Sequence, residues 1–130
     1  TSIVSADFNN DSVGDIAVLN ATDGTVSVLR GLGDGSLSTN TDFSVGLTPV
    51  GLVLGDFNGD TRLDLATTNG TSFGFTTLYG AGNGQFNVSN SFTSEYPVNG
   101  LGVGDFNGDY ALDLILLDSS NSKAHTWLGQ

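Results

Sequence analysis

The 130-residue sequence contains no cysteine, which excludes disulfide bridges, thiolate nucleophiles and thiolate metal sites. Basic residues are also scarce, because 3 Lys or Arg stand against 14 Asp or Glu and give a formal net charge of −11. A surface of this sign repels phosphate groups and offers no basic patch to anionic lipids, so nucleic-acid binding is not expected. No apolar run approaches the roughly 20 residues that span a bilayer, so membrane insertion is not expected either.

Helical periodicity and a recognisable signal peptide are also missing from the sequence. Glycine is frequent instead, with 19 residues, and Ser, Thr and Asn are abundant. This composition is typical of an all-β protein with many tight turns.

An internal repeat organises the chain. Asp7, Asp56 and Asp105 are spaced by 49 residues (56 − 7 and 105 − 56), and the same spacing relates Gly31, Gly80 and Gly129. The register holds without gaps, which predicts three repeats at 1–49, 50–98 and 99–130. The third repeat is shorter than the other two.

Each repeat contains short β-branched and aromatic segments bounded by Gly, Asn or Asp, which predicts four antiparallel strands per repeat. In the second repeat the predicted strands are GLVLGDF (51–57), DLATTN (64–69), GFTTLYG (74–80) and FNVSNSFTS (86–94). A unit of this size with four strands is typical of a β-propeller blade. The sequence therefore predicts about two and two-thirds blades. The last blade is expected to lack a counterpart of the fourth strand after Gln130.

An Asp-rich loop lies between the first two predicted strands of every repeat. Oxygen-bearing side chains occupy its first, third, fifth and ninth positions, and the seventh position can offer a backbone carbonyl, as in calcium loops. The candidate ligands are Asp7, Asn9, Asp11, Val13 and Asp15 in the first loop, Asp56, Asn58, Asp60, Arg62 and Asp64 in the second, and Asp105, Asn107, Asp109, Ala111 and Asp113 in the third.

Electrostatic repulsion favours a cation in these loops, because two carboxylates at about 4 Å repel by several kcal/mol at an effective dielectric constant of about 20. Oxygen ligands without His or Cys favour Ca²⁺ over Zn²⁺, and up to three Ca²⁺ ions are expected. The alternative is a solvated Asp/Asn turn without metal. Because the carboxylates recur in every repeat, they fit structural metal sites better than a single active site, and no enzymatic activity is expected.

The segments DFNGDTRLDLA and LYGAGNGQF closely resemble the FG-GAP/VCBS repeats of integrin-α-like β-propellers. The resemblance implies an extracellular protein that binds Ca²⁺ in these loops and serves in adhesion, carbohydrate binding or as a scaffold. Repeats of this family usually carry Gly at the sixth loop position, where this chain has Ser12, Thr61 and Tyr110. The substitutions predict a differently shaped turn or weaker metal binding. The first site is expected to be the weakest, because Asn10 replaces the glycine of the other two loops.

Fewer than three blades leave open edges and faces, which invite partners. The expected function is that of a secreted, structural or adhesive subunit that assembles into a homo-oligomer or filament. Two alternatives are a lectin-like carbohydrate-binding module and a fragment of a larger secreted propeller. Aromatic residues that could stack on a sugar are Tyr79, Tyr96 and Tyr110, whereas Trp127 is expected in the core.

Asn20, Asn69 and Asn87 each begin an N-x-S/T sequon and are candidate N-glycosylation sites. Asn10 also begins a sequon but lies inside the first Asp-rich loop. The single histidine, His125, is expected on a strand surface rather than in a catalytic role.

Overall fold

The computed structural model describes residues 2–70, 74–89, 92–95, 97–118 and 120–129. These residues form twelve strands and no helix, so no helix capable of crossing a membrane is present among them. All strand pairs are antiparallel, and the all-β prediction is confirmed. The strands are β1 (Ser2–Ala6), β2 (Asp15–Asn20), β3 (Thr25–Leu29), β4 (Thr41–Ser44), β5 (Pro49–Gly55), β6 (Asp64–Asn69), β7 (Gly74–Gly80), β8 (Phe86–Val88), β9 (Phe92–Thr93), β10 (Gly100–Gly104), β11 (Asp113–Asp118) and β12 (Lys123–Trp127).

Consecutive strands form three separate sheets. Sheet 1 has the order β1-β2-β3-β4, sheet 2 has the order β5-β6-β7-β8, and sheet 3 has the order β10-β11-β12. In sheet 2 the short strand β9 also pairs with β7. The segment 86–94, predicted as one strand, thus contains two, which pair with opposite ends of β7. The described residues form no closed barrel or ring of sheets.

The sheets pack in the order 1, 2, 3, with one apolar layer between each pair. Sheet 2 is covered on both faces, and every residue of β6 is buried. Burial of large apolar side chains contributes about 1.5 to 3 kcal/mol each, so the two layers dominate the stability of the fold. The buried members of the first layer are Phe8, Ala17, Leu19, Val26, Val28, Val45, Leu52, Leu65, Leu78 and Phe86, and those of the second are Phe57, Ala66, Phe75, Val98, Leu114 and Leu116.

The phenylalanine after the first aspartate of each loop packs in the same way in the first two repeats. Phe8 is 4% exposed and meets Phe86 of sheet 2 edge to face, at a ring-centroid distance of 5.5 Å. Phe57 is 1% exposed in the layer between sheets 2 and 3. The third equivalent, Phe106, is 51% exposed, because no further sheet covers that side of sheet 3 among the described residues.

Candidate metal-binding loops

The first aspartate of each loop organises the turn by accepting hydrogen bonds from backbone N–H groups. In the second loop, Asp56 Oδ1 accepts from Gly59 at 2.8 Å and from Asp60 at 3.2 Å. Its Oδ2 accepts from Thr61 at 2.7 Å. Asp7 and Asp105 make the corresponding bonds to the sixth loop residue, at 2.7 and 3.0 Å. The sequence pattern therefore specifies a preformed turn around a carboxylate.

The third and fifth positions extend this turn. Asn58 Oδ1 accepts the N–H of Asp60, and Asp60 Oδ1 accepts the N–H of Arg62, both at 2.9 Å. The Arg62 guanidinium also lies 3.7 Å from Asp60 Oδ2, which places one positive charge beside the loop. In the first and third loops the asparagine Nδ2 donates to the fifth-position carboxylate at 2.8 Å. The side chains at positions one, three and five thus share one small loop.

The ninth aspartate has a distinct role, since it is fully buried in all three repeats. Asp64 Oδ2 accepts the N–H of Phe57 at 2.9 Å, and its Oδ1 accepts the N–H of Gly80 at 2.8 Å. The carboxylate thereby ties the loop to the end of the third strand. Asp15 makes the same pair of bonds to Phe8 and Gly31, and Asp113 makes them to Phe106 and Gly129. We call this arrangement the Asp–Gly clamp.

The glycine of each clamp is required by a close approach of two backbone segments. A Cβ atom on Gly80 would lie 2.2 Å from the carbonyl oxygen of Leu63, far inside van der Waals contact. The corresponding distances are 2.3 Å for Gly31 and 2.2 Å for Gly129. Sequence reasoning used these glycines only to mark the repeat. Each buried aspartate precedes its glycine by 16 residues in all three repeats. This constant spacing is the sequence signal that could have indicated a direct contact.

The sixth loop position adopts the left-handed backbone conformation in every repeat, with φ of 68° for Ser12, 68° for Thr61 and 70° for Tyr110. The glycine usual at this position would adopt it without strain, whereas a side chain costs about 1 to 2 kcal/mol. All three loops nevertheless keep the hydrogen bond from this residue to the first aspartate. The loops therefore adopt the turn that glycine would allow, and the side chain at the sixth position makes this turn less stable.

We expect Thr61→Gly to raise the free energy of unfolding by about 0.5 to 1 kcal/mol, because relief of strain exceeds the entropy cost of glycine. Urea denaturation with a chelator present measures this effect without a contribution from metal. Thr22→Gly is the matched control, since Thr22 is an exposed turn residue outside the positive-φ set and should become less stable. Equal changes in the two variants would contradict the assignment of strain to Thr61.

The loop carboxylates differ in pKa because their surroundings differ. Partial burial tends to raise the pKa of Asp7, but the N–H groups of Ser12, Asp11, Asn9 and Asn10 outweigh it and hold the pKa below its ordinary value. The N–H groups of Gly108 and Tyr110 likewise lower the pKa of Asp105. Burial raises the pKa of Asp64, and the negative charges of Asp60 and Asp56 add to that increase. The second loop thus contains carboxylates that repel one another.

The donor chemistry of these loops fits a hard cation, because carboxylate, amide and backbone carbonyl oxygens are the ligands that Ca²⁺ prefers. A cation bound to the fifth-position carboxylate would compete with the asparagine hydrogen bond seen in the first and third loops. Within the described residues, no group of three or more Asp, Glu, His or Cys side chains is arranged to hold a metal. In each loop the ninth aspartate already uses both oxygens to accept backbone N–H groups.

The sequon asparagines have different environments. Asn69 is 2% exposed, and its Nδ2 donates to Thr76 Oγ1 at 3.0 Å. This geometry argues against a glycan on Asn69, because N-glycosylation joins the sugar to that amide nitrogen. Asn20 is half-buried and donates to Thr25 and Ser27, whereas Asn87 is exposed on β8.

The aromatic residues considered as sugar platforms do not form one group. Tyr110 is exposed in the third loop, and Tyr79 packs against the second apolar layer. Trp127 is half-buried in that layer, with its ring 5.7 Å from those of Phe75 and Phe92. Tyr96 lies outside the described residues.

Comparison with known proteins identifies one family. Residues 7–67, which include the first two Asp-rich loops and strands β2 to β5, match the family model of the FG-GAP-like repeat. A search of curated proteins found no match. The match agrees with the 49-residue spacing, the Asp-rich turns and the antiparallel sheets described above. Just under half of the chain, 61 of 130 residues, is thus similar to the FG-GAP-like repeat.

Proposed function

We propose that this protein is a non-enzymatic, extracellular, propeller-like repeat protein, stabilised by calcium, that acts as a structural or adhesive subunit by assembling with copies of itself. The self-assembly in this proposal rests on one observation. Sheets 1 and 3 expose residues on their outer faces whose equivalents in other repeats are buried between the sheets. The extracellular location is supported by the family, whose members are often extracellular.

The outer face of sheet 1, here called the leading face, contains Ile3, Ile16, Leu29 and Leu37. Their equivalents in sheet 2 are Leu52, Leu65, Leu78 and Phe86, which are all buried against sheet 1. Ile3 is 64% exposed, whereas Leu52 is 6% exposed. The leading face therefore carries the same type of apolar surface as the covered face of sheet 2.

The outer face of sheet 3, here called the trailing face, contains Phe106, Ile115, Leu117 and Leu128. The side of sheet 1 that packs on sheet 2 carries the equivalents Phe8, Ala17 and Leu19, which are buried. Phe106, Leu117 and Leu128 are exposed. Several large apolar side chains exposed on one face of a sheet mark an interaction site more often than single scattered ones.

The two faces complement each other in the way that neighbouring sheets do inside the molecule. Docking the trailing face of one copy on the leading face of the next would continue the internal order of sheets. Phe106 would then be buried as Phe8 and Phe57 are. Because the two surfaces differ, the contact is heterologous, and it produces a ring if the rotation closes and a filament if it does not.

Blocking one face in each of two variants tests this polarity. Phe106→Asp should disable the trailing face and Ile3→Asp the leading face, because an unpaired charge cannot be buried in the contact. Each variant alone should be monomeric in Ca²⁺-containing buffer, whereas an equimolar mixture should form heterodimers through the two intact faces. Sedimentation velocity measures all three samples, and Leu47→Asp is the control, since Leu47 is also exposed and lies outside both faces.

A mixture that remains monomeric while the unchanged chain assembles would contradict the heterologous contact. Assembly of the Phe106→Asp variant by itself would assign the contact to another surface. Loss of assembly in Leu47→Asp would show that any added charge disrupts it.

Calcium binding is supported by the oxygen-only donors of three equivalent loops. Burial is the main cause of the raised pKa of Asp64, and the negative charges of Asp60 and Asp56 add a smaller repulsion to it. A cation held by the first, third and fifth positions would relieve that repulsion. We expect chelation to lower the melting temperature and Ca²⁺ to restore it, because binding to the folded state alone stabilises that state.

Thermal denaturation with and without Ca²⁺ checks this expectation. Asp60→Ala should remove part of the stabilisation by Ca²⁺, whereas Asp23→Ala, in an exposed turn outside the loops, should keep all of it. An identical melting temperature in Ca²⁺ and in chelator would exclude structural calcium.

A lectin-like carbohydrate-binding module is the second candidate. It is favoured by the aromatic side chains of Tyr79, Phe92 and Trp127, which line one cleft. A glycan array without a bound ligand would remove this candidate.

A further inference from the structure

A cleft of about 290 Å³ opens at the edge of the second apolar layer, away from the leading and trailing faces. Aromatic side chains from sheets 2 and 3 form most of its wall. Strand β12, which is the outer strand of sheet 3 among the described residues, runs beside it, and its residues Lys123–Thr126 are exposed. The lining residues are Phe57, Asn58, Tyr79, Phe92 and Trp127.

The first apolar layer contains the equivalent of this cleft, and there the side chain of Phe86 fills it. The residues that correspond to the lining are Phe8, Asn9, Arg30, Phe43 and Leu78. There the Phe86 ring lies 5.5 Å from Phe8 and 5.6 Å from Phe43, edge to face in both cases. The N–H of Gly84 also donates to the Phe8 carbonyl oxygen at 3.0 Å. The glycine-rich turn and β8 of sheet 2 therefore cover that site, with Phe86 as the aromatic side chain that fills it.

The register of the fourth strand is also repeated. Phe86 pairs with Gly80, and Leu37, its equivalent in the first repeat, forms a bridge with Gly31. The third member of the series is Gly129, which lies two residues after the end of β12, as Gly31 lies two residues after the end of β3. A strand added to β12 in the same register would place its aromatic residue opposite Gly129 and beside Phe57 and Phe92.

We propose that this cleft is an acceptor site for a peptide strand, supplied from outside residues 1–130, that carries the pattern Gly-x-Gly-x-aromatic. The strand extends sheet 3 by pairing with β12, and its aromatic side chain enters the cleft. Main-chain hydrogen bonds to an exposed edge provide affinity in this mode, and the side-chain pocket provides specificity.

The second glycine of the pattern contributes to that specificity. A Cβ atom on Gly84 would lie 3.1 Å from Arg30 Cδ and 3.6 Å from Asn9 Cβ, so the turn approaches these side chains closely. The equivalents at the open cleft are Tyr79 and Asn58. Gly84 also has a φ of 77°, so a partner strand with the same turn favours glycine two positions before the aromatic residue.

A synthetic peptide that copies residues 80–89 tests the proposal on the unchanged chain. Trp127 is the single tryptophan and lines the cleft, so its fluorescence reports binding at this site directly. We expect the peptide to change the Trp127 emission in a saturable way. Replacing the phenylalanine of the peptide by alanine should weaken binding at least about tenfold, which corresponds to about 1.4 kcal/mol.

Phe92→Ala should weaken binding of the original peptide, whereas Leu32→Ala, an exposed residue in the first repeat, should leave binding unchanged. If Phe92→Ala does not fold, the alanine peptide on the unchanged chain still decides the question. Equal binding of the two peptides, or no emission change with either, would overturn the proposal. A monosaccharide that changes the Trp127 emission while the peptide does not would overturn it in favour of a carbohydrate site. These readouts do not depend on self-association through the end faces.

Discussion

Replacing Asp64 with alanine is expected to lower the free energy of unfolding by about 3 to 5 kcal/mol, because two buried backbone donors lose their acceptor and each unsatisfied donor costs about 1 to 3 kcal/mol. These donors are the N–H groups of Phe57 and Gly80, which Asp64 joins across the loop and the third strand. A loss of this size is a large share of the 5 to 15 kcal/mol typical of a domain.

Urea denaturation in the presence of chelator measures this loss without any contribution from bound metal. Asp64→Asn should cost less than Asp64→Ala, because its amide oxygen keeps one of the two acceptors. Asp60→Ala is the matched control in the same loop, since Asp60 is exposed and accepts from Arg62 alone at the surface. A small effect of Asp64→Ala under these conditions would show that the aspartate acts through metal rather than through the clamp.

Gly80→Ala is expected to destabilise the fold by about 3 kcal/mol or more, above the usual cost of overpacking, because its Cβ would meet a backbone carbonyl that cannot rotate away. The contact at 2.2 Å to Leu63 forces the third strand away from the loop. That movement also breaks the hydrogen bond from Gly80 to Asp64, so the substitution damages packing and clamp together.

Gly14→Ala provides the control, since nothing lies within 4 Å of a Cβ on Gly14. Its stability should change little, and the same urea series compares the two variants. Comparable losses at Gly14 and Gly80 would mean that loss of glycine itself, and not the close approach, determines the cost.

The sequence predicted the strands well where local chemistry determines them. The segment DLATTN was predicted as the second strand of its repeat, and β6 has these bounds. Strands β2 and β11 lie 49 residues before and after it, as the repeat predicts. Two local signals predict each second strand: the Asp-rich turn before it and the apolar side chains within the strand. The structure contains both. The fourth strand of the second repeat was predicted less well, because β8 and β9 pair with different parts of β7.

The role of the ninth aspartate was not visible from sequence, because it depends on a partner that lies 16 residues away across the sheet. The Asp-rich pattern describes the loop alone and treats Asp64 like Asp56 and Asp60. The burial of Asn69 was hidden for a similar reason, since sheet 1 covers the end of β6. Its sequon looks like that of the exposed Asn87 until the packing of the sheets is known.

The loops and the apolar layers are connected through the same residues. Phe57 donates its N–H to the clamp and places its ring in the second layer. Each turn therefore positions the phenylalanine that joins its sheet to the next one. In the third repeat the clamp is formed but Phe106 is exposed, and the proposed head-to-tail docking would cover it.

Sedimentation velocity of the unchanged chain in Ca²⁺-containing buffer, over a series from low to high micromolar concentration, tests the central claim most directly. Head-to-tail docking predicts species larger than the monomer whose abundance grows with concentration and disappears on Phe106→Asp substitution. A single monomeric species throughout the series, with Ca²⁺ present, would contradict the account.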